Sequence, residues 1–331
     1  MYYMNEVKLL IKNPSFPMST YGKKAAHGND ATVARRPSAW QLTHLALALF
    51  HEGNMQACAD TFAQLLTYNP WFLHDPSLVY YSTALWHLKD VTTLGALAQR
   101  MLEELPFAAP TLAVVANKYS LSKEPNEAIV MLERATQVDP LLSYAYALRG
   151  YELLYMDHKT EAGEAFRQAL HVDRNLYIAY AGLGELHFRG EEVEFARQYF
   201  RKAISINSSP AILNRYAATF NRRDASMEEL LQALSIYDSA VGDHPLNLPA
   251  RHQRADVLLR LGRLQEAQEE LLQLAQGTPD AMVFVTLARC QECLNRPHEA
   301  IKYYHRALVL DPRREVYIKG CMERLAAGNE D

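Results

Sequence analysis

The chain has 331 residues, 49% of them hydrophobic, and its 34 Lys and Arg against 38 Asp and Glu give a net charge of −4. That balance argues against a nucleic-acid surface, which needs clustered excess cations; Arg35-Arg36, Arg222-Arg223 and Arg313-Arg314 are isolated pairs. Four cysteines, Cys58, Cys290, Cys293 and Cys321, exclude a disulfide scaffold and point to a reducing compartment.

The opening apolar run, Val7–Ile11 broken by Lys8, lacks the longer core and cleavage site of a secretory signal. No stretch approaches the ~18 apolar residues of a membrane span. The expectation is a nuclear and/or cytoplasmic protein with neither nucleic acid nor membrane as partner. Residues 1–38 carry turn and breaker signals, among them Asn13-Pro14, Phe16-Pro17, Gly22, Gly28-Asn29-Asp30 and Arg36-Pro37, and are expected to form a flexible leader. Within it, 5–12 has the composition of a short helix.

From Ala39 a repeat begins. Its pitch follows the residue closing each unit: Pro70, Pro106, Pro140, Arg174, Ser208, Pro245, Pro279 and Pro312, at gaps of 36, 34, 34, 34, 37, 34 and 33. The pattern is cleanest between Ser143 and Asn207, where Gly150, Ala162, Phe166 and Ala169 recur 34 residues on as Gly184, Ala196, Phe200 and Ala203. This is the signature of the tetratricopeptide repeat, in which two antiparallel helices pack closely over small residues beside an aromatic. The other copies carry Ala46, Cys58, Phe62 and Leu65; Ala116, Ala128, Leu132 and Ala135; Ala218, Ala233, Tyr237 and Ala240; Ala255, Ala267 and Leu271; and Ala288, Ala300, Tyr304 and Ala307. The second copy is aberrant, with Tyr80-Tyr81 and Trp86 crowding its first helix and Gly95 in its second, and the sixth has a loop near 222–226. The predicted fold is all-α: a superhelix (α-solenoid) of about eight helix pairs over 39–314, closed by a capping helix and tail over 315–331.

Catalytic motifs are missing. Gly182-Leu183-Gly184 with Gly190 lies inside a predicted helix with no strand before it, so a dinucleotide loop is not expected. Cys290 and Cys293 have a metal-like spacing, but a structural zinc needs four ligands and the nearest further candidates are His298 and His305. A metal-dependent or thiol enzyme built on those cysteines is the alternative from another class; the expectation is no catalysis, no metal and no cofactor.

In a tetratricopeptide stack the first helices line a groove, with repeat positions 2, 5, 9 and 12 facing inward. Position 9 holds Asn117, Tyr151, Glu185, Thr219, Asp256 and Arg289; position 5 supplies Arg215 and His252; position 12 supplies Ser120, Phe188, Arg222 and Glu292. Each alone reads as a solvated surface residue, but together they suit an extended peptide and its charged end.

Three stretches go further. Tyr80-Tyr81-Ser82-Thr83-Ala84-Leu85-Trp86-His87-Leu88-Lys89-Asp90 resembles the signature of the tetratricopeptide scaffold subunit of the anaphase-promoting complex, the cell-division-cycle 27 type. Trp40 with Asn54-Met55-Gln56-Ala57 and Phe62 is similar to the repeat before that signature, and Tyr180 with Gly182-Leu183-Gly184 and Ala203-Ile204 to the middle repeats. The resemblance, over roughly 40–320, implies a non-catalytic ubiquitin-ligase scaffold working in the cell cycle. Its partners would be other tetratricopeptide subunits of that complex and a coactivator whose C-terminal Ile-Arg tail enters the groove. For such a tail the candidates are Glu185 for the guanidinium, Asn117 or Arg215 for the carboxylate, and Tyr151 and Phe188 as walls for the Ile. The family's N-terminal array, through which its members pair, has no counterpart here, so homodimerisation is not expected, and Trp40 and Phe50 would be exposed on an uncapped first repeat. A generic tetratricopeptide adaptor or co-chaperone binding an acidic tail is the other reading, with Arg215, Arg222 and Arg289 as a loose clamp.

Overall fold

The computed structural model describes residues 38–327 apart from 246, 278 and 279. The expected leader and its 5–12 helix lie outside the described residues, as does Pro279. Seventeen α-helices and two short 3-10 turns account for the described chain, with no strand among the described residues. Consecutive helices pair as α1 (Ala39–Glu52) with α2 (Met55–Tyr68), α3 (Leu78–Leu88) with α4 (Val91–Glu104), α5 (Ala109–Leu121) with α6 (Pro125–Val138), and α7 (Ser143–Tyr155) with α8 (Lys159–Val172). After α9 (Tyr177–Arg189) and α10 (Val193–Ile206) come the further pairs α11 (Pro210–Ala218) with α12 (Met227–Asp243), α13 (Leu248–Arg260) with α14 (Leu264–Gly277), and α15 (Ala281–Cys293) with α16 (Pro297–Leu310). Helix α17 (Glu315–Ala327) follows as the expected final helix. The chain divides within α9 into two compact units, one ending at Leu186 and the other starting at His187.

The turn inside each repeat is built one way. After α1 the chain passes through Gly53 at φ 85°, and the next N–H, of Asn54, returns to the carbonyl of Leu49 at 2.9 Å. The same left-handed residue and returning bond recur at Lys89, Lys123, Asp157, Glu191, Gly262 and Asn295. This closes the first helix by satisfying its last carbonyls. In two turns the residue that receives the chain then caps the next helix: Asn54 accepts from the N–H of Ala57, and Asp90 from that of Thr93. The sixth repeat departs from the scheme. Helix α11 stops at Ala218, and a loop runs to Ser226, which opens α12 with a reciprocal capping box to Glu229. Arg222, counted as an inward helical position from sequence, therefore lies in that loop, because the helix ends four residues before it.

The small and large packing residues fill their expected places. Ala162, Phe166 and Ala169 are fully buried, as are Ala196, Phe200 and Ala203 to within 1%. A Cβ on Gly150 would stand 2.6 Å from the Phe166 ring, so the glycine is what lets α8 approach α7. A Cβ on Gly182 would stand 2.3 Å from the same ring. Phe166 thus packs between a glycine of its own repeat and one of the next, and Gly182 on α9 serves helix packing. Phe50, expected to be exposed, is 5% exposed because it packs edge-on against Tyr80 with ring centroids 5.2 Å apart, whereas Trp40 is exposed.

Candidate functional site

Side chains on successive first helices meet at a spacing of about one repeat. In the first unit, Asn117 Nδ2 on α5 donates to the hydroxyls of Ser82 (2.7 Å) and Thr83 (3.1 Å) on α3, and the Tyr144 hydroxyl on α7 reaches Thr83 at 3.2 Å. One turn on, Trp86 Nε1 donates to Ser120 Oγ at 2.9 Å, and Ser120 donates to Glu152 Oε1 at 2.6 Å. The chain of bonds therefore crosses α3, α5 and α7. Its two ends differ: the Trp86 indole is 37% exposed, while Glu152 is half-buried, and desolvation pushes its pKa up against the opposing Ser120 hydrogen bond.

An aromatic cluster closes this part of the unit. His51 Nδ1 lies 2.9 Å from the Tyr177 hydroxyl, 126 residues along the chain, and Tyr80 packs on Tyr144 with centroids 4.5 Å apart. Desolvation lowers the pKa of His51 to about 4. A histidine whose folded pKa lies below its unfolded value of about 6.5 binds protons less readily when folded. Its stabilising contribution is complete above pH 6.5 and is lost as pH falls toward 4. Urea denaturation at pH 7.5 and pH 5 is expected to show this loss, and His51→Gln, which cannot titrate, should flatten the slope. An unchanged slope would place the proton uptake elsewhere.

In the second unit the same construction continues. His252 Nε2 meets Thr286 Oγ1 at 2.9 Å, Asn214 Nδ2 donates to Asn247 Oδ1 at 3.2 Å, and Arg289 Nη1 donates to Asp256 at 3.2 Å. Arg260 Nη1 donates to Asn221 Oδ1 at 2.5 Å and braces the loop after α11.

These bonds define what the five sequence-derived candidates do. Asn117 is 6% exposed and its amide is spent on Ser82 and Thr83, so it joins two repeats instead of facing a ligand carboxylate. Tyr151 is half-buried: its hydroxyl donates to the Ile178 carbonyl at 3.0 Å and its ring meets Phe166 edge-on at 5.1 Å. Its position therefore serves the joint between α7 and α9. Glu185 is 9% exposed on α9. Those three belong to the first unit; Phe188, half-buried, and Arg215, exposed, belong to the second. Ser82, Thr83 and Glu152 were not singled out from sequence. The signal for them was present as polar residues spaced by about one repeat on consecutive first helices, Thr83 to Asn117 and Ser120 to Glu152.

Among the described residues there is no group of three or more His, Cys, Asp or Glu that could hold a metal ion. Cys290 is buried, its thiol pushed up to about 11 by desolvation, and Cys293 is exposed. Among the described residues no helix is long and apolar enough to cross a membrane.

The tetratricopeptide repeat family profile matches residues 147–211. The chain is 28% identical over 300 residues to anaphase-promoting complex subunit 3 of Schizosaccharomyces pombe, covering 90% of this chain and 44% of that protein. It is 31% identical over 272 residues to the cell division cycle protein 27 homolog of Caenorhabditis elegans, covering 82% of this chain and 34% of that one. The cell division cycle protein 27 homolog B of Arabidopsis thaliana is 29% identical over 294 residues, covering 88% and 39% respectively. The chain thus spans less than half the length of these curated relatives. Among solved structures, the Cut9 and Hcn1 hetero-tetramer of the anaphase-promoting complex contains a chain with the same fold. The TM-score is 0.71 at 17% identity, covering 86% of this chain and 55% of that one.

Proposed function

Since this chain is a tetratricopeptide-repeat homologue of anaphase-promoting complex subunit 3 and the cell division cycle protein 27 proteins, we propose that it is a non-catalytic scaffold of that ubiquitin ligase, acting in the nucleus and/or cytoplasm. The observation that carries this reading is the similarity over 90% of the chain to a relative named as a subunit of the complex. The partners of such a scaffold are other tetratricopeptide subunits. Affinity purification from dividing cells should recover them together, and recovery of chaperones alone would favour an adaptor instead.

The finer proposal is that the first-helix face takes the C-terminal Ile-Arg tail of a coactivator. Such a tail presents a guanidinium, and two carboxylates of the first unit are its candidate partners: Glu185 on α9, and Glu152 on α7, which is the more open and lies in one hydrogen-bond chain with the exposed Trp86. A charge-assisted bond of this kind is worth roughly 1.5–3 kcal/mol. Fluorescence anisotropy with a labelled Ile-Arg peptide should show binding about ten-fold tighter than a peptide ending in Ile-Ala. The Glu152→Gln or Glu185→Gln variant that abolishes this difference identifies the partner. Equal binding of both peptides by the parent chain would end the tail reading and leave the scaffold reading standing.

A further inference from the structure

Helices α6 and α8, the second helices of adjacent repeats, flank a cleft of about 540 Å³ floored by α7 and lined by Glu133, Thr136, Tyr146, Arg149, Gln168 and His171. Arg149 Nη2 donates to Gln168 Oε1 at 2.8 Å, and its guanidinium lies 5.9 Å from the Tyr146 ring centroid. No carboxylate among the described residues pairs with it.

The chain contains its own control. Moving every residue of the cleft forward by 105 positions turns Arg149 into Arg254, Glu133 into Asp238, Gln168 into Gln273, Tyr146 into Arg251 and Ala165 into Glu270. At that later position the arginine is neutralised from within: Arg254 pairs with Asp238 at 2.8 Å and with Glu270 at 3.0 Å, and Glu270 also receives Arg251. In the earlier repeat the carboxylate of Glu270 is replaced by the methyl group of Ala165. Without that anion the Arg149 guanidinium bonds Gln168, whose later counterpart Gln273 is bonded by Arg251, and a cleft stands open beside it. A half-buried cation without its anion costs free energy, which a bound anion would offset.

We infer that the cleft over Arg149 is a docking subsite for an anionic side chain of a protein partner, its carboxylate or phosphate oxygens taking the role that Glu270 plays in the later repeat. The subsite is independent of the first-helix face and of the tail reading. Glu133, the counterpart of Asp238, stays on the rim as a competing internal carboxylate, so the site takes only groups that engage the guanidinium directly.

The test uses the ¹⁵N-labelled chain and three blocked pentapeptides with alanine at every position but the centre, which is Glu, phosphoserine or Gln. The Arg149 Nε–Hε resonance should shift saturably with the Glu or phosphoserine peptide, with a dissociation constant at least ten-fold below that for the Gln peptide. The Arg254 resonance should stay in place. Ala165→Glu, which restores the internal anion, is expected to weaken binding ten-fold or more, and Glu133→Gln to tighten it about three-fold. Should Ala165→Glu fail to fold by circular dichroism, Arg149→Gln decides: it should abolish the shifts at the Gln168 and His171 amides. A response to phosphoserine alone assigns the subsite to phosphorylated partners, and a response to both anions to acidic segments in general. Equal shifts with the Gln peptide, or shifts that persist in Arg149→Gln, overturn the inference.

Discussion

Phe166→Ala is expected to destabilise the first unit by ~3–5 kcal/mol, the usual cost of deleting a buried aromatic that neighbouring backbone cannot collapse onto. The ring is 0% exposed and is packed by two glycines, Gly150 and Gly182, that have no side chain to move into the void. The complementary change, Gly182→Val, should cost ~1–3 kcal/mol by overpacking, since even a Cβ at that position would sit 2.3 Å from the ring. The two changes act on one space and should not add. The Gly182→Val/Phe166→Ala double variant should recover part of the loss, because valine fills some of the volume that the ring vacates. Urea denaturation followed by circular dichroism measures all three. Strict additivity would show that Gly182 and Phe166 are not in contact.

Asn117→Ala should lower stability by ~1–3 kcal/mol, since it removes a buried amide that satisfies two hydroxyls of the preceding repeat. Arg215→Ala, a change at an exposed surface position, should stay within about 0.5 kcal/mol. The comparison separates two residues that looked alike from sequence. If Asn117→Ala melts like the parent while weakening an Ile-Arg peptide, Asn117 is a ligand-facing residue, and the inter-repeat role derived from its hydrogen bonds is wrong.

Much of the architecture is legible in the sequence. The helix pairs, the closing helix from Glu315, the buried Ala162, Phe166 and Ala169 and their counterparts follow from a spacing that recurs along the chain. Local packing of a helix against its immediate successor depends on residues at fixed short offsets, so sequence alone determines it. The likeness of the Tyr80–Asp90 stretch to the cell-division-cycle 27 type was readable for the same reason, being contiguous.

Only the tertiary structure decided what each inward-counted residue does. Positions on a helical wheel give a direction, but whether Asn117 meets solvent or the hydroxyls of Ser82 and Thr83 depends on how closely the preceding helix approaches. The turns were hidden too: five of the left-handed residues are Lys89, Lys123, Asp157, Glu191 and Asn295, so no glycine marked them. The contrast between Arg149 and Arg254 appears only when helices of neighbouring repeats are set side by side. The Arg254 salt bridges join residues 16 positions apart, and the contrast turns on position 270 supplying a carboxylate where position 165 supplies a methyl group.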